Sequence, residues 1–436
     1  MSRYHLVTLG CPKNEVDSEK LVGRLGADGF AATDDPGDAD LLVVNTCAFI
    51  GEARQESIDT ILALAEHKAD GARLVVTGCL AERYGDELAD AMGEVDQVAG
   101  FGHEFHDHHD QNGPGNENLR DSVPVATAVT IGAKPAAVAV PDFDLLNLPR
   151  PPSARPWAYV KVAEGCDRAC GFCAIPSFRG PQRSRPLGAI LDEVDQLAAP
   201  EIVLVAQDLA AYGRDQGVGE RSIVKLVQAV AERVPRTRLL YLYPSDLTDG
   251  LIDAICATGV AYFDLSLQHV SPPLVRRMRR WGNGEKFLRR IVDIRAREPD
   301  AAFRSNFIVG YPGETEEDHD QLLRFVTDAE VDWCGFFAFS PEEGTYAHDL
   351  DGQVPTPLVA ERLAELRELQ DRITARKRDE LLGSEVEVLV DRPGIARSHR
   401  EAPEIDGIIA VPEHLSAGTF ATLTVTGAIG PDLEAR

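Results

Sequence analysis

Twice along this chain, short β-branched runs alternate with amphipathic helical stretches. That alternation demands parallel strands, because each helix must carry the chain back to the start of the next strand. The first series fills the opening hundred residues, with strand patterns at 4–9, 41–45 and 74–77 and helical patterns at 16–25, 54–66 and 81–92. It predicts a Rossmann-like α/β domain over residues 1–102. The second series occupies residues 152–382, with six strand patterns from 158–162 to 335–339 and helical patterns between them. Six repeats predict a partial (β/α)6 barrel, an open relative of the eight-fold one. Between the two series, residues 103–151 lose periodicity and turn rich in Gly, Pro, Asn and His, which reads as a linker. Strand-like runs at 386–390, 407–411 and 420–425 predict a small β-barrel over residues 383–436.

A chain of 436 residues exceeds what one hydrophobic core organises, in keeping with several domains. No apolar run approaches the roughly 18 residues of a membrane span. The opening Met1-Ser2-Arg3-Tyr4-His5 lacks the apolar segment of a signal peptide, so the expected location is cytoplasmic with no membrane contact. Eight cysteines are too sparse for a secreted disulfide framework, and in the cytosol such residues are buried, catalytic or metal-bound.

Spacing separates those possibilities. Gly165-Cys166-Asp167-Arg168-Ala169-Cys170-Gly171-Phe172-Cys173 carries C-x₃-C-x₂-C directly after the first strand of the second series. Three thiolates hold three irons of a cubane cluster and leave the fourth iron open to a ligand from outside the protein. In parallel β/α architectures the chemistry lies where strands end, and these cysteines leave a strand. A zinc site would recruit a fourth Cys or His, and the neighbouring sequence has none.

Three further cysteines stand far apart in sequence but in equivalent places. Cys11 follows Thr8-Leu9-Gly10, Cys47 follows Asn45-Thr46 and Cys79 follows Thr77-Gly78, each at the carboxyl end of a predicted strand. Those ends share one sheet edge, so the three converge, as a second cluster with an open iron requires. Small buried thiols filling strand ends would explain one such placement more readily than three. Cys256 and Cys334 have no partner motif and read as core residues.

The central motif, with an aromatic before its last cysteine, resembles the radical S-adenosylmethionine superfamily. The resemblance implies a cluster whose open iron is chelated by the cofactor's amino and carboxylate groups, and whose electron splits the cofactor into methionine and a 5′-deoxyadenosyl radical. It also implies cofactor contacts: Phe172 near the adenine, Gln207 at the end of the second strand, and Gly310 within Ile308-Val309-Gly310-Tyr311-Pro312-Gly313-Glu314 at the end of the fifth. A strand-end glycine also has an ordinary turn reading.

Two cysteine trios, on a Rossmann-like domain and a partial barrel with a TRAM-like barrel behind, resemble the methylthiotransferases over nearly the whole chain. Gly10-Cys11-Pro12-Lys13-Asn14 with Val16-Asp17-Ser18-Glu19 is similar to the ribosomal-protein branch, RimO. The transfer-RNA branch usually has Gln-Met or similar after the cysteine. Ile175-Pro176-Ser177-Phe178-Arg179-Gly180, Arg183-Ser184-Arg185-Pro186 and Ser340-Pro341-Glu342-Glu343-Gly344-Thr345 also resemble this family. The resemblance implies two 4Fe–4S clusters, S-adenosylmethionine, an external electron donor, and methylthio transfer to the β-carbon of an aspartate in the twelfth small-subunit ribosomal protein, free or on its subunit. It names no catalytic side chain.

Charge bears on the substrate. The formal net charge of −27 disfavours a phosphate backbone and favours a basic protein partner. In residues 383–436, nine acids face four bases, so the TRAM-like module lacks the sign that direct RNA binding needs. The acids of Ala402-Pro403-Glu404-Ile405-Asp406-Gly407 have a plainer reading as solvated charges. Two basic clusters run against this balance: Arg276, Arg277, Arg279 and Arg280, and the trio Arg179, Arg183 and Arg185. Both are expected to hold a cofactor carboxylate or to form ion pairs. His103, His106, His108 and His109 lack ordered spacing and read as a solvated loop. Two alternatives stay open: a transfer-RNA nucleoside methylthiotransferase, and an iron–sulfur electron-transfer protein without substrate chemistry.

Overall fold

The computed structural model describes residues 1–101, 144–217 and 222–436. The four linker histidines and most of the expected linker lie outside the described residues.

The first series folds into five parallel strands, β1 (Arg3–Thr8), β2 (Ala31–Ala32), β3 (Leu41–Thr46), β4 (Arg73–Gly78) and β5 (Gln97–Val98), in the order β2-β1-β3-β4-β5. Helices α1 (Pro12–Ala27), α2 (Gly51–His67) and α3 (Cys79–Ala91) follow β1, β3 and β4. Every residue of β3 is buried because both faces are covered. Leu42, Val44, Leu74 and Val76 pack on Ile61, Leu64, Leu80 and Leu88 of α2 and α3, while Val43 and Val75 pack on Leu25 of α1. This doubly wound order reverses direction between β1 and β3, and the crevice beyond the strand ends at that reversal is where such sheets bind ligands.

The second series is built of β6 (Trp157–Lys161), a short antiparallel pair β7 (Ala163–Glu164) and β8 (Arg183–Ser184), then β9 (Glu201–Val205), β10 (Arg236–Leu239), β11 (Tyr262–Gln268), β12 (Ala302–Val309) and β13 (Trp333–Ala338). Strands β6, β9 and β10 form one parallel sheet and β11, β12 and β13 another, joined by a parallel bridge between Leu242 and Leu265. The result is the expected open six-stranded barrel. Helices α4 (Ile175–Arg179), α5 (Leu187–Leu197), α6 (Ile223–Ala231), α7 (Asp249–Cys256), α8 (Pro272–Arg277), α9 (Gly284–Arg297), α10 (Glu316–Ala329) and α11 (Thr356–Asp379) complete it.

Side-chain alternation sorts the strands' two faces. Ala158, Val160, Ile202 and Leu204 meet Ile190, Val194 and Leu226 of the outer helices, and Cys256 and Cys334 pack against the same core. Trp157, Tyr159, Val203, Val205 and Tyr262 point the other way, into the concave side. Val16 of α1 joins that inner cluster, as do Ala402 and Ile405 from the carboxyl-terminal module.

That module is a closed barrel of β14 (Glu385–Arg392), β15 (Ile395–Arg397), β16 (Ile409–Ala410), β17 (Phe420–Ile429) and β18 (Asp432–Ala435). It docks through buried charges. Glu201, at the start of β9, accepts from Arg238 at 2.8 Å and Arg397 at 2.9 Å. Glu401 accepts from Ser398 N at 2.7 Å and pairs with Arg378 at 2.5 Å. Asp406 accepts from Tyr262 Oη at 2.6 Å. Of the two acids in 402–407, Asp406 is thus a buried partner of Arg304 and Tyr262 rather than a solvated charge, while Glu404 stays exposed and pairs with Arg155; Glu401, just before them, is buried as well. No helix among the described residues is long and apolar enough to cross a membrane.

Candidate functional site

The amino-terminal cysteines gather at the reversal point. Cys11 caps α1 just beyond β1, Cys47 leaves β3, and Cys79 opens α3 directly after β4. Asn14 ties the strand ends together, its Nδ2 donating to Leu9 O and Thr46 O, both at 2.9 Å. Gly10 adopts φ +98°, and a methyl group there would lie 2.9 Å from Cys47 Sγ, so the backbone must approach that thiol bare.

Burial pushes the Cys47 thiol up to about 12 and raises Cys79. For Cys11 burial acts the same way, but Lys13, Arg179 and the backbone N–H groups of Asn14 and Lys13 outweigh it and leave the thiol below its ordinary value. Cys47 feels the charges of Cys79 and Cys11, and Cys79 feels that of Cys11.

Cys166, Cys170 and Cys173 lie in the loop between β7 and α4. Backbone bonds fold it: Cys166 N donates to Gly180 O at 3.1 Å and Cys173 N to Cys170 O at 3.2 Å. Burial pushes Cys166 up to about 11 and Cys173 to about 12. Arg168 N lies 3.4 Å from Cys166 Sγ, and Arg280 Nη1 lies 3.1 Å from Cys170 Sγ.

Buried thiols with raised affinity for protons become thiolates only beside a strong positive centre such as bound iron. Among the described residues no three His, Cys, Asp or Glu side chains close on a single metal ion. A cubane assigns each thiolate its own iron and so asks for wider spacing than one tetrahedral ion does. The donor set of each trio fits that group.

The two trios are linked. Arg179, the last residue of α4, donates through Nη2 to Cys79 Sγ at 3.0 Å and to Asn14 Oδ1 at 2.8 Å. Its Nη1 reaches Glu164 at 3.0 Å, and Glu164 accepts from Lys161 and Gln207, each at 2.7 Å. Burial opposes the charge on Glu164, but Arg179 and Lys161 outweigh it and hold the carboxyl well below its usual range. Lys161 also pairs with Asp17 of α1. A buried polar chain therefore runs from Cys79 to the residue beside Gly165-Cys166. Opposite it, Lys13 Nζ lies 3.4 Å from the ring centroid of Tyr241, which follows β10.

The three expected cofactor contacts differ in their surroundings. Phe172 is half-buried against Leu274, Met278, Tyr311 and Ala347. Gln207 keeps its Oε1 buried without a partner among the described residues. Gly310 has φ +80° and donates its N–H to Glu314 at 2.5 Å, while a methyl group there would meet Val359 at 2.5 Å. The glycine is thus required by the turn and by the approach of α11. Within the arginine clusters, Arg183 pairs with Asp144 at 2.9 Å and Arg185 with Glu193 at 2.6 Å, while Arg277 bonds Asp351 O at 3.1 Å.

Sequence reasoning passed over Glu164, Tyr241 and Glu342 as site residues. Glu342 accepts from Arg54 and from Arg83, the latter at 2.6 Å, and so clamps α2 and α3 to the loop after β13. Gly51 N adds a bond to Ser340 Oγ at 3.1 Å. Tyr241 and Glu342 lack a spacing signal because Lys13, Arg54 and Arg83 are hundreds of positions away, and Glu164 meets Arg179 and Gln207 only through the fold.

Family models match three stretches: an uncharacterized protein family, UPF0004, over residues 3–100; the radical SAM superfamily over 160–326; and the TRAM domain over 382–436. The chain is 41% identical to the ribosomal protein uS12 methylthiotransferase RimO of Kineococcus radiotolerans, over 99% of this chain and 96% of that one. It is 42% identical to the protein of that name from Moorella thermoacetica, over 98% and 97%. The solved radical S-adenosylmethionine methyltransferase TsrM of Kitasatospora setae is 14% identical, with a TM-score of 0.48 over 96% of this chain and 84% of that one.

Proposed function

This chain belongs to the RimO family of ribosomal protein uS12 methylthiotransferases, and from that membership we infer that it adds a methylthio group to the β-carbon of an aspartate in uS12 by radical chemistry. The observation that carries the reading is relatedness to those enzymes over 99% of a chain in which Arg179 bonds Cys79 of one trio and Glu164, two residues before Cys166 of the other. When bound, the two 4Fe–4S clusters and S-adenosylmethionine supply the electron, the radical and the transferred group.

The chain's own residues bind, orient and exclude water. Cys166, Cys170 and Cys173 hold the cluster that leaves an iron open for the cofactor. Cys11, Cys47 and Cys79 hold the second one. Phe172 would flank the adenine and Gln207 would offer its unpaired carbonyl oxygen to a donor on the cofactor, while Gly310 supplies the turn at the end of β12. The working units are 1–102, 152–382 and 383–436, joined by 103–151.

The substrate is a basic protein, met free or on the small ribosomal subunit in the cytoplasm, and electrons come from an external donor. Removing Asp391, Glu401 and Asp406, with Arg397 and Arg400, as internal partners still leaves six acids against two bases on the TRAM-like barrel. Direct RNA binding through that barrel is therefore disfavoured.

Anaerobic incubation of the reconstituted enzyme with S-adenosylmethionine, a reductant, a sulfur source and either uS12 or transfer RNA, followed by mass spectrometry, tests the reading. A methylthio group on the uS12 aspartate is expected. Modification of RNA alone would overturn it, and absence of 5′-deoxyadenosine would favour a simple electron carrier.

A further inference from the structure

We propose that Lys13 receives the carboxylate of the target aspartate and so selects that residue at the reacting carbon. The inference rests on the uS12 reading above.

Lys13 is only 9% exposed. A buried ammonium is ordinarily matched by a carboxylate, since an unpaired charge away from water is costly. Two other lysines in this protein obey that rule: Lys20 lies 3.7 Å from Glu193, and Lys161 is held between Asp17 and Glu164. Lys13 departs from it. Among the described residues its Nζ has no hydrogen-bond or ion-pair partner and rests only on the face of Tyr241.

Its position raises the cost. Lys13 stands in the first turn of α1, where the positive end of the helix dipole favours acids over bases. The acid of that turn, Glu15, is turned away to Arg155. A cation kept at a positive helix end, with no carboxylate beside it and only the Cys11 thiol within reach of its charge, is a place where an anion is to arrive. Tyr241 holds the ammonium there from the other domain, and does so with φ +64°, a left-handed conformation that a tyrosine rarely adopts. The Tyr241 N–H is pinned to Asp264 Oδ2 at 2.9 Å, which fixes the backbone that carries the ring.

The location suits the chemistry. Lys13 is two residues from Cys11 and close enough for its charge to act on that thiol. Tyr241 places it on the side of the amino-terminal domain that faces the barrel. An aspartate's β-carbon is bonded directly to its carboxylate carbon. A salt bridge at Lys13 therefore anchors the reacting carbon through a single bond, the kind of positioning that removes most of the entropic part of a barrier. Uncharged side chains or nucleobases cannot make that bridge.

The test uses reconstituted full-length enzyme, wild type and the variants Lys13→Met and Lys13→Arg, with uS12 and with uS12 carrying asparagine at the target position. Lys13→Met should raise KM and Kd for uS12 about ten- to a hundredfold, the effect of losing a charge-assisted hydrogen bond. It should leave binding of the asparagine protein unchanged, so that the wild-type preference for aspartate disappears. Formation of 5′-deoxyadenosine, which depends on the central trio, should stay at the wild-type level, and Lys13→Arg, which keeps the charge beside Cys11, should retain the iron and recover part of the affinity. Equal loss with both substrate proteins, no loss with either, or loss of iron from the amino-terminal set in Lys13→Arg would overturn the proposal and assign Lys13 to the cluster or the fold. Failure of the uS12 reading is separate: the wild-type enzyme would then place no methylthio group on uS12.

Discussion

The guanidinium of Arg179, carried by the central domain, lies 3.0 Å from Cys79 Sγ of the amino-terminal domain. One side chain thus touches a ligand-type thiol of one trio while bonding Glu164, the residue just before Gly165-Cys166 of the other. N–H groups directed at cluster sulfur make reduction easier, because they offset the negative charge that an added electron brings.

Replacing Arg179 with Met should therefore lower the reduction potential of the amino-terminal cluster, as read by an EPR-monitored redox titration. The same change leaves Glu164 and Asp17 sharing Lys161 as their cation, with Gln207 still bonded to Glu164, a loss of about 3 kcal/mol in a buried ion-pair network. Thermal melts of the two proteins check that second outcome. An unchanged potential would mean the bond to Cys79 is structural only.

The two trios should separate by function. Cys170→Ala should abolish both 5′-deoxyadenosine formation and methylthio transfer. Cys47→Ala should keep 5′-deoxyadenosine formation, lose methylthio transfer and lose about half the iron, as expected if each trio holds its own cluster. Chromatographic assay of both products, with iron analysis, distinguishes the variants.

Glu342 links the domains at 2% side-chain exposure, with Arg54 and Arg83 both on it. Glu342→Gln removes the charge those two arginines share and should weaken the contact by about 3 kcal/mol. Hydrogen exchange in α2 and α3 should accelerate. Transfer should fall while cofactor cleavage continues, since the central trio is built entirely within its own domain.

Asp406 adds a pH signature. Burial raises its carboxyl to about 6 from 3.8, although Arg304 and the Tyr262 hydroxyl pull the other way. The folded protein then binds this proton more tightly than the unfolded chain does. Its contribution to stability is highest below 3.8, falls as pH rises through 6 and is flat above. The Tm of wild type relative to Asp406→Asn should accordingly increase as pH is lowered from 7 toward 4.5. Glu201 and Glu401, held down at about 2 against burial by their arginine partners, lose their contribution at lower pH in both proteins alike, and the comparison cancels them.

Much of this arrangement is legible along the chain. Strand and helix periods expose the two α/β series, and the rule that parallel strands end on one edge brings Cys11, Cys47 and Cys79 together. The C-x₃-C-x₂-C spacing is local, so its meaning survives without a fold. Net charge carried less far. Glu401 and Asp406 count as surface acids in a composition but are interior partners of Arg378 and of Arg304 and Tyr262.

Two cysteine trios and three units follow from the sequence alone, because periodicity and spacing act over a few residues. Only the tertiary structure decided that Arg179 spans a hundred positions to reach Cys79, that Glu342 gathers Arg54 and Arg83, and that Lys13 is buried on Tyr241 without an acid beside it. Such contacts arise when separately stable elements pack. The energy of a buried charge depends on what surrounds it in space, which no local pattern of residues records.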